Sequence, residues 1–323
     1  MKFTKYAPVI IPTLNRLAHL QRCLESLECC TGAEYTEVYI GLDYPPSERF
    51  VDGWKKVDSY LAEKEKKHKF KKMTIYRRSH NCGVGICNPG SNSNLLKNVV
   101  EKISDRYVFS EDDNEFSPNF LEYMNLALEF YKDDPAVLHV SAYTPLDFKN
   151  ISSNTTFFGI DTPAYGLGYW VNKDLIQLYS NDDIVNDFRT SLKKTLKIYW
   201  TWPAIVSMAL FMIKKKTRFA DVTFSIYNLL HHTYTLQPSV SLSRNRGCDG
   251  SGLHSGCVHE VEKNEIQIEK HFILQDIPHE YPSRMLKKLF YRSMPTDKIR
   301  RIKMFFISFL RLIQLYFFKR VLF

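Results

Sequence analysis

The chain has 323 residues, of which 44% are hydrophobic and 24% charged, with a formal net charge of +9. This length and composition can bury a sizeable core and exclude a disordered or collagen-like chain. The excess of positive charge points towards phosphates or anionic lipid. No recognisable nucleic-acid motif accompanies it, so nucleic acid is not an expected partner.

Seven Cys occur without a Cys-x-x-Cys pair or zinc-type spacing to His. They read as reduced, mostly buried thiols. Met1 to Lys5 is short and polar, without an apolar signal core. The expected location is therefore cytoplasmic.

In chain order, Tyr6 to Ile11 is a short apolar run ending at Pro12, a strand. Leu17, Leu20, Leu24 and Leu27 then recur at helical spacing, and Thr13 or Asn15 is the expected cap. Glu37 to Leu42 reads as a strand that ends on Asp43. A helix is expected after Pro46, running into the basic segment Lys64 to Lys72. Met73 to Arg77 reads as a third strand, Asn81 to Gly90 as a Gly-rich turn and Ser93 to Ile103 as a helix. Arg106 to Ser110 reads as a fourth strand leading straight into Glu111-Asp112-Asp113. Ser117 and Pro118 are positioned to start a helix whose apolar face is Leu121, Met124, Leu128 and Tyr131. Ala136 to Tyr143 reads as a fifth strand.

Strands alternating with helices predict an α/β fold with a mostly parallel, Rossmann-like sheet flanked by helices. In such sheets the ligand lies beyond the carboxyl ends of the strands. Pro12-Thr13, Asp43 and Glu111-Asp112-Asp113 each follow a strand end, so the pattern brings them to one edge. Three adjacent carboxylates repel one another and call for a counter-charge. A divalent cation carrying a diphosphate supplies one, because hard oxygen ligands suit Mg2+ or Mn2+. Structurally, the same acids suit the start of the following helix.

Val9 to Arg16, the loop Asn81 to Gly85 with Asn88, and Val108 to Asp113 followed by Ser117-Pro118-Asn119-Phe120 occur in a telling order. Together they resemble the GT-A glycosyltransferases, both bacterial family 2 members and the Golgi N-acetylglucosaminyltransferase that starts complex N-glycans. The resemblance covers about residues 6–145 well and the rest loosely. It implies that Pro12, Thr13, Arg16, Asp43, Gly83, Gly85, Asn88, Glu111 and Asp112 line a nucleotide-sugar site. It implies that Asp113 ligates the metal and that Asp43 meets the base or ribose. Tyr44 follows Asp43 where many family 2 members carry a second Asp.

The second half offers a catalytic base and an acceptor site. An inverting transferase needs a carboxylate to deprotonate the acceptor hydroxyl. Asp221 resembles in position the base of bacterial relatives. Asp182 and Asp183 are rivals, with Asp249 behind them, and each is equally suited to capping a helix. The loop Gly247 to His254 resembles a late loop in which a His completes the metal site. Arg244 and Arg246 are the expected diphosphate clamp. Gly166 to Trp170 resembles a segment near the donor sugar, or is core. Tyr199 to Ile213 is apolar but broken by Pro203, too short for a spanning helix. Arg300 to Phe323 mixes apolar residues with Arg301, Lys303, Arg311, Lys319 and Arg320. It suits an amphipathic helix on an anionic leaflet, or one packed on the domain or a second subunit.

The expected organisation is residues 1–145 for the nucleotide-sugar, 146–275 for the acceptor and base, and 276–323 as a basic amphipathic C-terminal extension. The expected activity is metal-dependent, inverting transfer from a UDP-linked donor to an oligosaccharide or lipid-linked glycan acceptor, in cell-surface polysaccharide synthesis at the inner face of the membrane. The alternatives are a nucleotide-sugar-binding protein without turnover and a nucleotidyltransferase. The latter lacks its Gly-rich, Arg-containing turn after the first strand. Neither a phosphate-binding P-loop nor a Gly-x-Gly-x-x-Gly fingerprint occurs.

Overall fold

The computed structural model describes residues 5–144, 155–175, 179–247, 249–252, 266–283, 286–287, 290 and 297–317. By contacts the chain divides into two units. The first comprises Met1–Phe157, Pro163–Lys173 and Leu236–Ile277, and the second Phe158–Thr162, Asp174–Thr235 and Pro278–Phe323. Residues 236–277 thus group with the N-terminal unit, far from them in sequence.

The strands are β1 (Val9–Thr13), β2 (Glu37–Leu42), β3 (Lys72–Arg77), β4 (Arg106–Phe109), β5 (Asn114–Phe116), β6 (Val137–Ser141), β7 (Thr156–Gly159), β8 (Leu167–Trp170), β9 (Tyr234–Pro238) and β10 (Ser243–Asn245). Eight form one sheet in the order β3-β2-β1-β4-β8-β6-β9-β7, while β5 and β10 make a separate ribbon. Strands β3, β2, β1 and β4 run parallel, whereas β8 is antiparallel to both β4 and β6.

Among the described residues the α-helices of the first unit are α1 (Leu17–Glu28), α2 (Val51–Lys64), α3 (Asn92–Val100) and α4 (Phe120–Phe130). The leucines of α1 do form its buried face, with Leu20, Leu24 and Leu27 fully buried beside Cys23. Helix α3 packs on β1 and β2, and α4 on β6 and β8. Strands β1 and β4 are almost wholly buried, as strands covered on both faces should be.

Two expected caps are replaced. The first residue outside α1 is Arg16, which makes no side-chain cap, because the Thr13 hydroxyl bonds Asp112 instead. Helix α4 begins after Asn119, and the Ser117 hydroxyl donates to the Asn119 side chain at 2.7 Å. The Gly166 to Trp170 segment is core. Its strand β8 lies mid-sheet, with Tyr169 stacked on Tyr107 at 4.9 Å.

The second unit is helical: α5 (Asn181–Thr190), α6 (Leu192–Thr201), α7 (Pro203–Lys215), α8 (Ala220–His231) and α9 (Lys298–Phe317). Pro203 opens α7, where its missing N–H costs nothing. Helices α6 and α7 meet at a bend of 113°. Among the described residues no single helix is long and apolar enough to cross a membrane, though this bent pair passes by length and composition. Most of α7 is buried against protein.

Candidate functional site

The parallel part of the sheet dictates where the site forms. From β1 the chain moves to β2 and β3 on one side, and returns to β4 on the other. The strand order therefore reverses between β1 and β4, and neighbouring connections leave in opposite directions. A crevice opens beyond the carboxyl ends at such a point. The β1–β4 ladder ends at Ile10 and Phe109, closed by the Ser110 N–H to Ile10 carbonyl bond. Pro12 comes after that point, so its absent N–H breaks no bond to β4. Thr13, Arg16 and the Glu111-Asp112-Asp113 turn all emerge beyond it.

There the buried Thr13 hydroxyl donates to Asp112 at 2.7 Å. The Arg16 guanidinium bonds the other oxygen of Asp112 and lies 2.8 Å from Asp113. Both carboxylates are buried. Burial pushes the Asp112 carboxyl above its ordinary range, the guanidinium of Arg16 opposes that, and the charge of Asp113 adds to it. Glu111 is half-buried, and its carbonyl accepts from the Ser110 hydroxyl at 2.8 Å.

The β5–β10 ribbon completes the surroundings. Register pairs Asn245 with Asn114 and Arg244 with Glu115. Asn245 donates to Asp113 at 2.5 Å, and the Arg246 N–H donates to the Asp113 carbonyl at 2.8 Å. Gly247 follows directly against the same carboxylate: an added Cβ would lie 2.9 Å from its Cγ and closer still to Oδ2.

Arg244 and Arg246 do reach this neighbourhood, but their guanidinium groups are committed to Glu115. Arg244 bonds it in fork geometry with both distances 2.9 Å, and Arg246 adds a third bond at 2.8 Å. Burial alone would raise the Glu115 pKa, yet these bonds outweigh it and hold the pKa at about 2. The expected diphosphate clamp is thus an internal ion cluster that fastens β10 to β5.

Asp43 is also occupied. Its carboxylate accepts the N–H groups of Tyr44 at 2.9 Å, Cys82 at 2.8 Å and Gly83 at 2.9 Å, plus the Asn81 amide at 3.3 Å. Asp43 therefore shapes the loop beyond β3. Gly83 and Gly85 take φ of 75° and 98°, the left-handed region that glycine tolerates. Asn88 closes the loop by donating to the Val84 carbonyl at 2.9 Å.

The acids proposed as bases are divided between the two units. Asp182, Asp183 and Asp221 belong to the second unit. Asp183 forms a capping box with Ser180 at the start of α5, which lowers its pKa through the Ser180 hydroxyl and N–H. A carboxylate so engaged is a poor proton acceptor, a reason to set Asp183 aside. Asp182 is exposed in the same first turn. Asp221 stands exposed in the first turn of α8. Asp249, in the first unit, bonds Ser251 and lies 2.9 Å from His19 on α1. His254 lies outside the described residues, as do Lys319 and Arg320.

Sequence reasoning named Gly247 only as the start of a late loop, and missed Asn245, Glu115 and Arg78. Glu115 was findable in principle, since it follows the acidic run after one Asn. Arg78 leaves β3 beside Asn92, to which it donates at 2.9 Å, and another of its nitrogens is buried with no hydrogen-bond partner among the described residues.

The donor set meets the chemical demands of a hard divalent cation. Two buried carboxylates face a single guanidinium. No group of three or more His, Cys, Asp or Glu gathers around a metal position among the described residues. Further ligands would have to come from a diphosphate and water, as is usual for Mg2+.

No family model matches the chain, and no curated protein matches it. Solved structures do. TarS of S. aureus is 16% identical over 55% of this chain and 30% of that one, with a TM-score of 0.33. The mannosyltransferase PcManGT of Pyrobaculum calidifontis, solved with GDP-Man and Mn2+, is 15% identical over 59% and 53%, with a TM-score of 0.38. The glycosyltransferase GlyE of Streptococcus pneumoniae TIGR4 is 8% identical over 72% and 45%, with a TM-score of 0.38. The chain thus spans between 30% and 53% of these structures. They lend nothing to the resemblance with the Golgi enzyme. At such scores the functional reading rests on the site itself.

Proposed function

We propose that this chain is a GT-A type, metal-dependent, inverting glycosyltransferase that uses a nucleoside-diphosphate sugar. The observation that carries the reading is the buried Asp112–Asp113 pair at the strand-order reversal, held by Thr13 and Arg16 on one side and Asn245 on the other. A diphosphate with its cation is the ligand whose charge suits two carboxylates beside an arginine. The chemistry supplied there by bound Mg2+ or Mn2+ is neutralisation of the leaving diphosphate. Asp113 is the proposed ligand, with His254 as a further one. Asp112 and Thr13 orient the ribose and sugar, and Arg16 offers its guanidinium to phosphate. The 81–88 loop and Arg78 face the nucleotide.

Of the second-unit acids, Asp221 is the proposed base, taking the proton of the acceptor hydroxyl as that oxygen attacks C1. The donor is taken as UDP-linked and the transferred group as a hexose or N-acetylhexosamine. The acceptor is an oligosaccharide or lipid-linked glycan of cell-surface polysaccharide synthesis, reached from the cytoplasmic face of the membrane.

The test is a screen of UDP- and GDP-sugars with Mn2+ for thermal stabilisation, followed by assay of nucleoside diphosphate release. The expected result is stabilisation and turnover that Asp113→Asn abolishes. Stabilisation without any release, across a panel of glycan acceptors, would instead identify a binding protein. Turnover untouched by removing divalent cations would refute the metal.

A further inference from the structure

Helix α9 is apolar on two faces, and among the described residues the protein covers only one. Its inner face is fixed within the second unit. The Tyr199 hydroxyl donates to the Phe305 carbonyl at 2.9 Å, Ser207 and Ser308 hydroxyls meet at 3.0 Å, and Leu312 is buried. At 100° per residue, Ile299, Ile302, Phe306, Phe309, Leu310 and Ile313 line up on the other side. Along that stripe Ile299 is 77% exposed, Ile302 51%, and Phe306 and Leu310 60% each. Trp200 of α6 is likewise 61% exposed, its ring 5.6 Å from that of Phe305 at the edge of the inner face. A folded helix does not present such a row to water without a partner.

The charges identify the partner. Lys298, Arg300, Arg301, Lys303 and Arg311 lie on α9, which contains no acidic residue. Four of these five crowd its N-terminal third, where the helix dipole disfavours positive charge. Asp297 caps this end, its carboxylate accepting the Arg300 N–H at 2.8 Å, and the Lys298, Arg300 and Lys303 side chains stand exposed around it. A second copy of the chain would set these cations against their own kind. Phosphate head groups above an acyl layer satisfy both the stripe and its flanks.

We propose that the outward stripe of α9, with Trp200, seats the second unit on an anionic lipid surface, lying in its plane. None of these residues is assigned a role in the transfer, so the proposal stands apart from the catalytic reading.

Flotation of the full chain with vesicles tests it. Binding is expected to vesicles of equal parts phosphatidylglycerol and phosphatidylcholine, roughly tenfold weaker to phosphatidylcholine alone, and to fall as salt rises. Phe306→Glu with Leu310→Glu should abolish binding, and Lys303→Gln with Arg311→Gln should weaken it on anionic vesicles only. All four positions are partly or largely exposed, so an unchanged melting temperature serves as the folding control. No flotation, equal flotation with neutral vesicles, or flotation that survives the double glutamate variant would overturn it. So would light scattering that reports a dimer which the glutamates dissolve, since a second copy would then cover the stripe.

Discussion

The Arg16 guanidinium lies 2.8 Å from the Asp113 carboxylate while also bonding Asp112. One cation thus bridges two buried acids where a bound metal would compete for the same oxygens. Removing the guanidinium leaves an uncompensated buried pair, which typically costs about 3 kcal/mol. Arg16→Met should lose about that much in urea unfolding. It should also gain more from Mn2+ than the wild type does, because the metal then takes the vacated role. Equal stabilisation of both proteins by Mn2+ would mean that the metal does not meet these carboxylates.

Gly247 owes its place to space. A Cβ there would come 2.9 Å from Asp113 Cγ and 3.1 Å from Asn245 Oδ1. Both neighbours are held by hydrogen bonds, so neither yields easily. Gly247→Ala should cost about 1–3 kcal/mol and displace the Asp113 carboxylate. Donor affinity should fall by more than the stability does, read as the nucleotide-sugar concentration needed for half-maximal thermal shift. A variant with normal donor affinity would place Gly247 outside the site.

Glu115 gives the acid limb of the stability curve. Its pKa is about 2 in the fold against 4.5 for an ordinary glutamate. The folded value is depressed, so its contribution is complete above pH 4.5 and is lost as the pH falls through that window. The side chain is 20% exposed, and the shift corresponds to about 2–3 kcal/mol. Asp112 works in the opposite sense, since burial raises its pKa. The clean measurement is therefore a difference: wild type minus Glu115→Gln, by urea unfolding. That difference should be largest near neutrality and shrink towards pH 2. A difference independent of pH would leave only packing as the role of Glu115.

The elements around β1 to β4 were legible because each carries its own period. Leu17 to Leu27 repeats as a helix does, and Val38 to Leu42 runs apolar as a strand buried on both faces does. The β5–β10 ribbon was not legible. Its strands are three residues each and pair Asn114 with Asn245, 131 residues apart in sequence, so no local pattern announces them. That explains both sides of the Arg244 and Arg246 outcome. Their basic character drew attention to them, while the Glu115 they clasp became visible only through the register. Thr13 illustrates the same limit, since its hydroxyl suits a helix cap until Asp112 arrives from β4. The stripe on α9 was half legible: composition revealed an amphipathic helix, but not that one apolar face is buried while the other faces outward.

Asp43 raises the question of whether a carboxylate at a nucleotide site touches the base or builds the loop that does. Three backbone N–H groups and one amide point at its oxygens, the pattern that holds its loop closed. In Asp43→Asn one of those oxygens becomes a donor, which sets an N–H against an N–H at Tyr44, Cys82 or Gly83. Leaving a backbone group unpaired there costs about 1–3 kcal/mol, and the loop should open. Amide exchange at Cys82 and Gly83 should accelerate in the ligand-free variant, alongside weaker donor binding. Weak donor binding with unchanged exchange at those two amides would instead assign Asp43 to the base itself, since the loop would then have survived intact.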